Sequence, residues 1–204
     1  MLERAPLTKG ERSRTRVVES AYGMARQVGL QGLTIGDLAA ELGVSKSGLF
    51  AHFGSKENLQ LAVLEFAAED FRRRVFEPVL GQPRGLPRLR ALFEVWLDWA
   101  ALTERGGCVF LSSAAEYDDQ EGPVRDALVG WFEALNRGLE KTWTLAVEEG
   151  HLGPGDVAQW ADEMHGIVLK FHLDFRLLRR TGAHARARAA FARLLDGAVR
   201  KDHS

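Results

Sequence analysis

Apolar residues recur at intervals of three and four along almost the whole chain, and runs that alternate apolar with polar residues are nearly absent. That regularity restricts the fold to packed helices, because a stripe of this period faces one side of an α-helix and no side of a strand. Leu61, Leu64, Ala68, Phe71 and Val75 form one stripe. Leu89, Leu92, Trp96 and Trp99/Ala100 form a second, and Leu128, Phe132, Leu135, Leu139 and Ala146 a third. Breakers separate the stripes: Gly29, Gly43, Phe53-Gly54, Pro78, the segment 81–87, Gly106-Gly107, the acidic turn 117–123 and the segment 150–155. Helices are expected over residues 12–28, 34–42, 45–52, 56–77, a stretch after Pro87, 109–116, 123–149, 156–181 and 183–200. The expected fold class is all-α. A three-helix head (residues 1–55) is grafted on a six-helix body (residues 56–204).

Charge is uneven between the two parts. Residues 1–60 carry eight Lys/Arg against six Asp/Glu, while residues 61–204 carry nineteen against twenty-two. A mildly basic head on an acidic body points to a polyanion at the head end. One cysteine, Cys108, leaves no intrachain disulfide and fits a reducing compartment. The densest apolar stretch, 91–102, is interrupted by Glu94 and Asp98, so no membrane span is expected and the location reads as cytoplasmic.

The segment GVSKSGLFAHFGSKENL, residues 43–59, reads as helical yet carries few bulky side chains. Two short helices that cross steeply need a small residue at their contact, here Ala39, and a turn residue that tolerates positive φ, here Gly43. Thr34 and Ser45 stand where N-caps are wanted, with Asp37 three residues after the first. Val44, Leu49 and Phe53 supply an apolar underside. Lys46, Ser47, Gly48, Phe50, Ala51 and His52 remain outward. Small outward residues suit a helix that lies deep in the major groove of DNA, where bulk would hold it off the bases. Gly48 costs roughly 1 kcal/mol of helix propensity against Ala, which close approach to DNA explains. Ser45, Lys46 and Lys56 sit at helix starts, which favour phosphate.

The stretch LTIGDLAAELGVSKSGLFAHFGSKENL, residues 33–59, closely resembles the signature of TetR-family transcriptional regulators. It carries the Thr-x-x-x-Leu-Ala start, the Gly-Val-Ser turn, the Leu-Phe-x-His-Phe recognition helix and the Ser-Lys-Glu-x-Leu opening of the fourth helix. GGCVFLSSAAEYDDQEGPVRDAL, residues 106–128, looks like the centre of one effector-domain subgroup of that family. The resemblance implies a homodimeric repressor of a palindromic double-stranded operator, released by a small effector. It implies DNA contacts at Thr34, Ser45, Lys46, Ser47, Gly48, Phe50, Ala51, His52 and Lys56. Phe and Ala stand at positions 50 and 51, where the family often has Tyr. Phe50 keeps a ring for a thymine methyl and loses a hydroxyl. Asn58 stands where Glu would complete a capping box with Ser55.

All five tryptophans fall between residues 96 and 160. The rings fit either a plain core or, by analogy with the family, an apolar effector pocket between the fourth and eighth helices. On the second reading Phe66, Trp96, Trp99, Phe110, Trp131 and His165 are the candidate lining. Arg105, Arg125 or Arg137 would meet an anionic end of an acyl or aromatic effector. His165 and His172 are seven apart, not the four of a helical metal pair, and the acids Glu116, Asp118, Asp119 and Glu121 read as a solvated loop. Cys108 reads as a small buried apolar residue or a sensor. No phosphate loop, nucleophile elbow or carboxylate pair is present, so no cofactor, metal site or enzyme activity is expected. The last two helices, 156–181 and 183–200, are the expected dimer interface, with Ala187, Ala190, Phe191, Leu194 and Leu195 on one side. The alternative to a regulator is a helical acyl- or lipid-binding protein without specific DNA activity.

Overall fold

The structure, a computed structural model, describes residues 8–102 and 106–199. Every helix and turn among them belongs to an all-α architecture with no strand among the described residues. In chain order the helices are α1 (Lys9–Gly32), α2 (Ile35–Leu42), α3 (Lys46–Phe53), α4 (Lys56–Phe71), α5 (Leu86–Ala101), α6 (Val109–Tyr117), α7 (Pro123–Glu148), α8 (Val157–His172) and α9 (Ala183–Ala198). No helix among them is long and apolar enough to cross a membrane.

Two compact units divide the described residues. The first takes those within 1–69 and 105–129, the second those within 70–104 and 130–204. The expected functional division at residue 55 therefore falls inside the first unit, which gathers α1 to α3, most of α4, α6 and the start of α7. Its buried residues include Val18, Ala21, Leu30, Leu38, Leu49, Leu59, Val63 and Phe110. The second unit buries Leu89, Leu92, Phe93 and Leu97 of α5 with Leu139 and Trp143 of α7, Met164 and Phe171 of α8, and Phe191 and Leu195 of α9.

Four boundaries differ from the periodic reading, each for a local reason. Helix α1 opens earlier, at Lys9. Thr8 and Glu11 close a capping box in which Glu11 N donates to Thr8 Oγ1 at 3.2 Å and Thr8 N donates to Glu11 Oε2 at 2.7 Å. At Gly29 the chain kinks through φ +80° and then adds a short turn to Gly32, so the breaker bends the helix instead of ending it. Helix α4 stops being α-helical at Phe71. A π turn, Arg72–Phe76, and a 3-10 turn, Glu77–Gly81, follow, and Pro78 sits in the first turn of the latter, where its missing N–H is harmless. Helix α8, expected to run to 181, is α-helical only to His172; a second π turn, Leu173–Leu177, follows it.

Candidate nucleic-acid interface

The first unit builds a helix-turn-helix from its own caps. Thr34 caps α2: Asp37 N donates to Thr34 Oγ1 at 3.0 Å, and the same hydroxyl donates to Asp37 Oδ2 at 2.6 Å. Gly43 ends α2 in the left-handed region at φ +65°, and Val44 N donates back to Ala39 O at 3.0 Å. Ser45 then caps α3, accepting from Gly48 N at 3.1 Å. Gly54 ends α3 at φ +73° with its amide on Phe50 O at 2.7 Å. Ser20 of α1 donates to Glu41 of α2 at 2.7 Å. Two eight-residue helices are thus held mainly by end bonds and by a few buried residues, Leu38, Ala39, Leu49 and Phe53.

That arrangement leaves one face of α3 bare. Lys46, Ser47, Gly48, Phe50, Ala51 and His52 are all exposed, as are Thr34, Ser45 and Lys56. Phe50 is 54 % exposed, an unusual place for a ring that folding alone would bury. The Lys46 side chain passes beside Gly36, close enough that a β-carbon there would sit 3.3 Å from Nζ. Ser45 and Ser47 hydroxyls lie 3.2 Å apart. The guanidinium of Arg14 lies over the Phe53 ring at 5.3 Å and holds the basic face of α1 against α3. Arg12, Arg14 and Arg16 are exposed; Arg4 lies outside the described residues.

Two details of the head were not legible in the sequence. Val44, expected on the underside, is 47 % exposed, because it occupies the turn and contributes its amide there. Asn58 replaces the missing capping-box Glu in its own way. Its amide N–H donates to Ser55 Oγ at 3.0 Å and its side chain donates to Phe53 O at 2.8 Å, tying α3's end to α4's start.

The candidate effector residues fall in both units. Phe66, beside Tyr22 at 5.4 Å, and the buried Phe110 belong to the first. Trp96, Trp99, Trp131 and His165 belong to the second, where the three tryptophans surround one ring. Phe71 makes edge contacts with Phe76, Trp96, Trp99 and Trp131 at centroid distances of 5.8, 5.9, 4.9 and 5.5 Å. His165 lies 5.5 Å from Trp96 and 6.2 Å from Phe132. Burial pushes its imidazole below the usual histidine value, against the pull of Asp162, so the ring is neutral at pH 7. Arg125 is exposed, Arg137 pairs with Glu133 at 3.6 Å, and Arg105 lies outside the described residues.

On the second unit a groove of about 740 Å³ runs between α8 and α9, lined by Ile167, Phe171, Ala187, Ala190 and Leu194 together with the charged Glu163, Lys170, Asp174, Arg180, Arg186 and Arg193. Phe191 and Leu195, expected on the same side, point elsewhere: Phe191 stacks on Phe93 at 3.9 Å and both are buried. Cys108, 8 % exposed, precedes α6 and is a buried free thiol. Glu116 is not part of a solvated acidic loop; its carboxylate accepts from the amides of Leu30 and Gln31.

Comparison with known proteins agrees with this geometry. Residues 17–63 match the family described as bacterial regulatory proteins, tetR family, and residues 85–191 match the tetracyclin repressor-like C-terminal domain. A TetR-family transcriptional regulator from Cytophaga hutchinsonii superposes with a TM-score of 0.85 at 19 % identity, covering 97 % of this chain and 100 % of the other. A TetR regulator from Chloroflexus aurantiacus J-10-FL gives 0.82 at 25 % identity, covering 93 % and 96 %. AibR, solved in complex with isovaleryl coenzyme A and operator DNA, gives 0.72 at 21 % identity, covering 89 % and 97 %. No curated protein matches the chain.

Proposed function

The chain belongs to the TetR family of DNA-binding transcriptional regulators, and we propose that it acts as a homodimeric repressor whose hold on a palindromic operator is weakened by a small, mainly apolar effector. The observation that carries this reading is the bare face of α3. Its helix is fixed by caps at both ends, and its outward residues are small except for Lys46, Phe50 and His52. Lys46 and Ser47 would reach base edges, Phe50 a thymine methyl, and Thr34, Ser45 and Lys56 the phosphates on either flank.

The effector class follows from the aromatic cluster. The rings around Phe71 and the neutral His165 offer apolar surface and one polar nitrogen, which suits an acyl chain or a planar aromatic. The likeness to AibR supports an acyl effector on this fold. The groove face supports a two-fold partner. Leu169, Leu173 and Leu177 are exposed along α8 and its π turn, and small residues on α9 allow close approach. Glu163 and Lys170 stand seven residues apart on that face, so an antiparallel copy would set opposite charges against each other. The mechanism is a population shift: the effector favours a pose in which two heads no longer match successive major grooves, ~34–36 Å apart.

The test is a titration of the protein with medium-chain acyl-coenzyme A compounds and planar aromatics. Quenched tryptophan fluorescence together with release of bound DNA supports the reading. Release by a sugar or a metal ion, with neither effect from the apolar panel, contradicts the effector class.

A further inference from the structure

Within the first unit, two residues in the last turn of α1, Leu30 and Gln31, have every backbone polar group engaged by side chains from elsewhere in the sequence. The kink at Gly29, φ +80°, breaks the ladder of α1 and leaves the amides of Leu30 and Gln31 without the carbonyls that a continuous helix would give them. Both donate to Glu116 Oε2 on α6, at 2.9 and 3.1 Å. Their carbonyls are taken from α4. Gln60 Nε2 donates to Leu30 O at 2.8 Å, and Lys56 Nζ donates to Gln31 O at 2.6 Å. The Gln31 side chain closes the ring by donating to Glu116 O at 2.8 Å.

The approach to this clamp is also fixed. Arg26 donates to Gly107 O at 2.9 Å and to Gly106 O at 3.2 Å, and Gly107 N returns a bond to Arg26 O at 2.9 Å. A β-carbon at Gly29 would overlap the Glu116 carboxylate, and one at Gly106 would overlap the Arg26 carbonyl, so both glycines are needed for the close fit as well as for their positive φ.

We propose that Glu116 is a positioning residue for operator binding: its carboxylate latches the Leu30–Gln31 segment to α6 and thereby sets the pose of the helix-turn-helix. The segment leads directly to Leu33, fully buried, and to Thr34, the cap of α2. A shift of Gln31 therefore reaches α2 within three residues. Lys56 makes the same contact electrically relevant. An ammonium has three donors, so it can hold Gln31 O and a DNA phosphate together. When α3 is seated on its operator, Lys56 can hold Gln31 O and the flanking phosphate at once, so operator binding tightens the clamp and by reciprocity loosening the clamp weakens operator binding.

Because this role presupposes the operator-binding reading above, the experiment separates the two. The probe is the duplex that the wild-type protein enriches from a randomised pool, compared with a random-sequence duplex, alongside amide exchange at Leu30 and Gln31. Glu116→Ala is expected to unprotect both amides and to lose roughly tenfold in affinity for the enriched duplex, within the usual range of coupling between sites. Affinity for the random duplex should hold or rise, because removing an anion favours polyanion binding. Glu116→Gln, which keeps the acceptor and drops the charge, should restore most of the loss. Gln31→Ala, an exposed and milder change, should shift affinity in the same direction and serves if Glu116→Ala does not fold. Unprotected amides with unchanged discrimination between duplexes overturn the latch alone. Equal losses on both duplexes overturn it too. A wild-type protein that enriches no duplex overturns the operator-binding reading and the latch with it.

Discussion

Phe50 separates what folding requires from what recognition requires. Its ring is more than half exposed, so Phe50→Ala is expected to change stability by no more than about 0.5 kcal/mol. The same substitution should cost at least tenfold in affinity for a specific site, because on the proposed docking the gap it leaves would lie at the base edges; a denaturation curve paired with a binding isotherm checks both halves. Lys56 should behave differently. Lys56→Ala is expected to weaken specific and random DNA alike and to reduce the salt slope by about one unit, the signature of a lost phosphate contact. An unchanged slope would assign Lys56 to the Gln31 carbonyl alone. At this scale the caps were readable in the sequence, since Thr34, Gly43 and Ser45 act on neighbours three or four positions away. Glu116 and Arg26 were not, since their partners lie some eighty residues off and no periodic pattern marks such a pair.

Elements show the same division between local and distant causes. The short helices α2 and α3 depend on their ends, so Ser45→Ala is expected to destabilise the head by about 1 kcal/mol and to loosen α3 before the rest, measurable as early amide exchange in Gly48. In the second unit the link from α8 to α9 turns on Asp174. Its carboxylate accepts from Lys170 and, at 3.2 Å, from Arg180, while Arg180 N donates to Asp174 O at 2.9 Å across a turn in which Arg179 is left-handed. The Lys170 hydrogen bond, opposed by burial and helped by the charges of Lys170, Arg180 and Arg186, holds the Asp174 carboxyl below its usual value. A depressed folded value means stability present at neutral pH and lost as pH falls below the ordinary carboxylate range. Asp174→Asn should therefore lower Tm at pH 7 and flatten its fall towards acid; an unchanged acid limb would remove Asp174 from the cause. The π turns after α4 and after α8 escaped the periodic reading because each is a single turn: after α4 the buried Val75 still falls on the expected stripe, while after α8 the buried residue is Asp174, which no apolar pattern marks.

For the molecule as a whole, the all-α class and the head's motif follow from spacing that any single helix displays. The grouping of α6 with α1 to α3 does not, because it depends on contacts between segments far apart in the chain. The placement of Phe191 and Leu195 is a similar case: a helix with apolar residues on two sides leaves open which side meets its own chain, and Phe93 settles it here. Ala187, Ala190 and Leu194 line the groove between α8 and α9, where the proposed dimer would seat its second copy. Leu194→Asp is expected to convert a dimer into a 22.6 kDa monomer by light scattering and to lose specific DNA affinity with it. The most direct measurement is enrichment of duplexes from a randomised pool by the wild-type protein, repeated with Gly48→Leu, which places bulk on the bare face of α3. The expected product is a two-fold symmetric sequence whose half-sites are spaced by about one helical turn or a multiple of it, with enrichment abolished by Gly48→Leu. A pool that stays random, or one enriched equally well by Gly48→Leu, would contradict the assignment of that face to DNA.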